Sequence, residues 1–154
     1  QPENELLSLQ DYRTRYAQYR GDADLQPCHP AHPFIAVWDD HEVANDAWRN
    51  GAENHDPDSE GDFEERVAAA LQAWYEWLPV RPPGDNREIV YRQFQFGDLV
   101  DLMMLDTRLI GRDLQLEFAD FVNGELIDVD TLRAAVAAER DSPSTCWLAP
   151  AAKD

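Results

Sequence analysis

Cysteine is scarce in this chain: Cys28 and Cys146 are the two present among 154 residues. They lie far apart and outside any CxxC spacing, so neither a zinc knuckle nor a disulfide framework is indicated, and they carry no information about compartment. Positive charge is equally thin. Thirteen Lys and Arg face 31 Asp and Glu, a formal net charge of −18, and such a field repels nucleic-acid phosphates and anionic membrane surfaces at long range. Any phosphate-handling role would therefore call for locally bound cations, and a fold with clustered acids would gain stability when they bind. No apolar run approaches transmembrane length, and Gln1-Pro2-Glu3-Asn4-Glu5 lacks the basic-then-apolar order of a secretion signal. Internal repeats and low-complexity tracts are absent as well.

What remains is ordinary globular material, with an apolar content of 44% in a chain long enough for one compact domain. Ser8 and Asp11 make a helix start, followed by Tyr12, Tyr16 and Tyr19 at helical spacing until Gly21. Asp22 and Asp24 can cap a second, short helix through Gln26, ended by Pro27 and Pro30. Phe34-Ile35-Ala36-Val37-Trp38 reads as a buried strand, and residues 50–61 as a polar loop without regular structure. Asp62-Phe63-Glu64-Glu65 opens another helix with Val67, Leu71, Trp74, Tyr75 and Leu78 on one face, stopped by Pro79. The stretches 89–96 and 99–105 should pair as a hairpin around Gly97-Asp98, and Asp130 can cap a helix over 131–140 that ends at Ser142-Pro143-Ser144.

The chemistry concentrates in Asp39-Asp40-His41-Glu42-Val43-Ala44-Asn45-Asp46, where the apolar stretch ends. Carboxylate and amide oxygens suit hard cations, and an imidazole ligates metal or transfers protons. Asp40 is read as a metal ligand in preference to a solvated acid, while for Asp39 the two readings balance. His41, amid carboxylates, suits a general acid; the duller reading is a satisfied core histidine. Glu42 either orients the imidazole or caps a helix starting near Val43. Asn45 and Asp46 either bind metal or a substrate oxygen, or are themselves caps. Arg108, after Asp106-Thr107, can clamp phosphate through its guanidinium fork or pair with Asp106 or another acid. Arg13 and Arg15 read as helix-surface or structural salt-bridge partners. Asp56, Asp58, Glu60 and Asp62 hint at calcium but lack the glycine and terminal Glu of an EF-hand.

Trp38-Asp39-Asp40-His41-Glu42-Val43-Ala44-Asn45-Asp46 resembles the WDDHExxND signature of the PhoD-like (alkaline phosphatase D) family of calcineurin-like metallophosphoesterases. Asp11 to Tyr16, Tyr75 to Arg81, Tyr91-Arg92, Phe96-Gly97-Asp98 and Leu105 to Arg108 extend the resemblance in order. It implies an α/β class, as part of an α/β/β/α sandwich with mixed sheets. It further implies a phosphoric ester hydrolase acting as a phosphomonoesterase or phosphodiesterase on a phosphate ester, with calcium and iron as metals, or zinc or manganese. In that family His41 would donate the proton, Asp40 would bind metal, Arg108 and Asn45 would hold substrate, and Asp39, Glu42 and Asp46 would support them. A secreted, periplasmic or cell-surface location follows by the same resemblance. The family's early Asp-bearing strand, its Gly-Asp-x-x-Tyr segment and its late Asn- and His-bearing loops have no counterpart here. Residues 1–154 are thus expected to form the central segment of a single catalytic domain, inactive when isolated. The competing reading is a non-catalytic acidic module that binds cations or a basic partner through residues 54–62.

Overall fold

The computed structural model describes residues 4–115 and 129–140. Helix α1, Leu9–Arg20, starts where the sequence places it. The Ser8 hydroxyl accepts the Asp11 amide at 3.3 Å and the Asp11 carboxylate accepts the Ser8 amide at 2.9 Å, a reciprocal capping box. The second short helix lies later than expected, at Cys28–Ala31 (α2). Asp22 accepts the amides of Asp24 and Leu25 and holds that stretch as turns, and Pro30 is tolerated inside α2 because the first turn of a helix has no carbonyl partner for its missing N–H.

Within the expected irregular loop, Asp56 caps one helical turn, α3, Pro57–Glu60. Helix α4, Phe63–Trp77, then begins at Asp62, whose carboxylate accepts the Glu64 amide. Its inner face buries Phe63, Ala70, Leu71, Ala73 and Trp74, and α1 packs along it. Arg13 on α1 seals that contact with a two-pronged pair to Glu76, both N–O distances 2.6 Å, as the structural reading of Arg13 anticipated.

The hairpin forms from β1, Arg92–Phe96, and β2, Val100–Met104, with Phe96 opposite Val100. Gly97 takes the left-handed conformation, φ 58°, that this tight connection needs. Among the described residues this antiparallel pair is the whole sheet. The expected strand over 34–38 is not one. Residues 33–39 belong to no regular element, because no described segment offers them a ladder; the Ala36 carbonyl takes the Arg92 guanidinium at 3.1 Å instead. The last helix, α5, spans Val129–Arg140, with Asp130 in its first turn instead of at its cap; Ser142-Pro143-Ser144 lies outside the described residues. No helix among the described residues is long and apolar enough to cross a membrane.

Two apolar clusters form the core. One joins Tyr12, Val43, Ala47, Phe63 and Ala70. The other joins Trp38, Leu71, Trp74 and Val90, with Trp38 edge-on to Trp74 at 5.3 Å between ring centroids.

Acid weakens the α1–α4 seal in a defined window. Hydrogen bonds from Arg13 and then Gln72 pull the Glu76 carboxyl from 4.5 down to about 2. A depressed carboxyl adds stability above its unfolded value and loses it as pH falls through its folded value. The urea midpoint should therefore fall between pH 4.5 and about 2, and Glu76→Gln should flatten that part of the curve.

Candidate functional site

The turn from Asp39 to Ala47 is held by the carboxylate that its sequence offered as a ligand. One oxygen of Asp40 accepts the His41 amide at 3.0 Å, and the other accepts the Asp46 amide at 2.8 Å. Its own carbonyl accepts the Val43 and Ala44 amides, both at 2.8 Å. Burial raises the Asp40 carboxyl, yet the Asp46 amide and the Arg108 charge outweigh it and hold the group below the usual carboxylate range. Asp46 closes the turn in the left-handed region, φ 48°, which Asp tolerates better than most residues with a side chain. From the core side, the Tyr12 hydroxyl donates to the Val43 carbonyl at 2.7 Å and pins the turn to α1.

The seven residues singled out by sequence fall on two faces of this turn. On one, Arg108 gathers three acids: Asp39 at 2.5 Å, Asp46 at 3.3 Å and Asp40 at 3.7 Å. Arg112 adds a second cation, 3.8 Å from Asp46. Arg108 thus sits in ion pairs with nearby acids, and a phosphate would have to displace carboxylates to reach its fork. Asp106, the acid weighed as its partner, instead accepts the Trp38 indole N–H at 3.1 Å and the backbone amides of Arg108 and Leu109 at 2.9 Å.

On the other face lie His41 and Asn45, lining a cleft of about 600 Å³. The His41 side chain is exposed and its ring makes no hydrogen bond among the described residues. Asn45 donates to Glu53, a residue that sequence reasoning did not single out. Glu42 accepts the Asp39 amide at 2.7 Å, a bond back to the start of the turn; no helix starts near Val43 for it to cap. His41 and Glu42 also border an adjoining cavity of about 290 Å³ beneath α1.

Buried Arg66 was also missed. It donates to Tyr12 at 3.3 Å, Glu60 at 3.2 Å and Glu5 at 2.8 Å. The signal was available: an arginine on a helix position adjacent to the apolar stripe needs acceptors, and acids cluster just before the helix.

As a donor set these residues do not fit a metal centre by themselves. Both Asp40 oxygens are engaged by amides, a guanidinium stands among the three acids, and among the described residues no three His, Cys, Asp or Glu side chains are placed to hold a metal ion.

The chain is an α/β protein that presents a braced acid–histidine turn between an arginine-filled face and an open cleft. The family described as PhoD-like phosphatase matches residues 1–146, and the chain belongs to that family. It is 44% identical over 108 residues to alkaline phosphatase D of Bacillus subtilis (strain 168), covering 68% of this chain and 18% of that protein. Its fold matches the solved structure titled "Structure of PhoD" with a TM-score of 0.62 at 40% identity, over 73% of this chain and 22% of the other. The chain therefore spans about a fifth of the length of these relatives.

Proposed function

We propose that this chain is the segment of a phosphoric ester hydrolase that supplies the proton donor, His41. The observation that carries the reading is the pairing of a ring without a hydrogen-bond partner among the described residues, exposed at a cleft, with a turn fixed at both ends by Asp40. In this reading a water oxygen attacks phosphorus while the bond to the departing oxygen breaks. His41 hands its proton to that oxygen, and the attacking water loses a proton to solvent. Asn45, on the same cleft, is assigned to a substrate oxygen. Asp39 and Asp46 fix Arg108, and Glu42 fixes the Asp39 amide; these residues support the turn without touching substrate.

Metal dependence enters the proposal from the family resemblance, as calcium and iron, or zinc or manganese. Asp40 is this segment's candidate for one ligand, and no step above is routed through a metal. Monoester and diester substrates both remain within the proposal, since a site of this kind reports how phosphate is attacked and not what it carries. The acidic-module reading is weakened by the fate of its loop: Asp56 and Asp62 cap helices, and Glu60 pairs with Arg66.

In the polypeptide that carries this segment, His41→Ala should lower kcat for an aryl phosphate about 10²- to 10⁴-fold, the usual worth of general acid catalysis. An unchanged kcat would sink the assignment. The isolated 1–154 chain should turn over the same substrate weakly or not at all, and robust hydrolysis lost in His41→Ala would overturn that expectation.

A further inference from the structure

Arg15 stands apart among the described buried and half-buried arginines. Its Nε is buried with no hydrogen-bond partner, and among the described residues its side chain has no ion pair or hydrogen bond. The Arg92 Nε is buried and unpaired as well, but its two other guanidinium nitrogens donate to the Arg81 and Ala36 carbonyls. The remaining buried or half-buried arginines among the described residues each have an acceptor: Arg13 on Glu76, Arg20 on His29, Arg66 on Glu5, Arg108 on Asp39 and Arg112 on Ala47. Arg15 is half-buried as a residue, and its Nε is the atom withdrawn from water; an unpaired buried donor of this kind is costly, and an oxygen supplied by a ligand would satisfy it.

Arg15 lines both cavities that meet at His41, the 600 Å³ cleft and the 290 Å³ cavity beneath α1, and His41 lines both with it. Of the two carboxylates there, Glu5 pairs with Arg66, while Glu42 accepts the Asp39 amide and keeps its charge. Arg20 and His29 add further basic groups to the smaller cavity. In a chain of net charge −18, this is a local basic pocket, and an open guanidinium fork matches phosphate oxygens in pairs.

We propose that Arg15 is the phosphate-recognising residue of the His41 cleft, the ligand class being a small organic phosphate or inorganic phosphate. The inference rests on the hydrolase reading only for the identity of the anion. It moves phosphate recognition from Arg108, whose fork is filled with carboxylates, to α1.

The test is titration of the 1–154 chain with inorganic phosphate, followed by calorimetry and by the Arg15 Nε–H resonance in the unmodified protein. The expected result is saturable binding that shifts that resonance. Arg15→Met should weaken affinity at least tenfold, Arg15→Lys should recover part of it, and Arg13→Met, on the Glu76 side of the same helix, should leave it unchanged. A resonance unmoved by phosphate overturns the proposal even if Arg15→Met fails to fold, and so does equal affinity in Arg15→Met and the unmodified chain. The two readings fail separately. Arg15-dependent binding in a polypeptide that never hydrolyses an aryl phosphate sinks the hydrolase and keeps the anion site, whereas His41-dependent hydrolysis with phosphate affinity indifferent to Arg15 does the reverse.

Discussion

Trp38→Ala should lower the unfolding free energy by about 3–5 kcal/mol, the range for truncating a large buried aromatic, and should leave the chain largely unfolded if its total stability is of that size. Trp38 is 1% exposed and stands edge-on to both Trp74 and Tyr75. It also anchors Asp106 through its indole N–H, and Asp106 in turn holds the amides of Arg108 and Leu109. Trp38→Phe keeps a ring in the cluster but removes that donor, and its cost should be smaller, about 1–3 kcal/mol. Urea unfolding followed by circular dichroism separates the two. Equal losses would mean that packing contributes little and the link to Asp106 contributes most.

Arg66→Met should cost roughly 3 kcal/mol, because a buried charge network broken on one side leaves its partners without compensation. Arg66 is 3% exposed on α4 and joins Tyr12, Glu60 and Glu5, from three separate stretches of chain. Tyr12→Phe removes the donor to the Val43 carbonyl as well as an acceptor for Arg66. The double variant should therefore lose less than the sum of the single ones, as expected for residues sharing one network. Strict additivity would show that the Tyr12–Arg66 contact carries no coupling.

Most, though not all, of the local chemistry was legible in the sequence; the caps assigned to Asp22, Asp24 and Asp130 were not where the pattern put them, and the long-range contacts were not legible at all. The Ser8–Asp11 box, the Asp62 cap and the Gly97 turn each involve residues within a few positions of one another, and each formed where its pattern lay. Phe34 to Trp38 was apolar enough for a strand, but a strand also needs a partner ladder, which an apolar run does not encode. Asp40 shows a different limit: an oxygen that suits a cation also suits a backbone amide, and composition does not distinguish the two. Arg108 meets Asp39 and Asp46 from 69 and 62 residues away, beyond any spacing rule. The separation of Arg15 from Arg13 follows from the helix period. Residues two apart on a helix differ by about 200° in direction, so Arg13 and Arg15 could not both serve the same partner, and the pairing of one with Glu76 turned the other away.

The two hydrogen bonds that the Asp40 carboxylate accepts from backbone amides also bear on how fast and how tightly a ligand is taken. A turn held by its own carboxylate gives up its backbone disorder when the chain folds, so a ligand arriving at His41 has the side chain to order there and little of the backbone. Association should then be governed by encounter and charge, with little of the slowing that a loop rearrangement imposes.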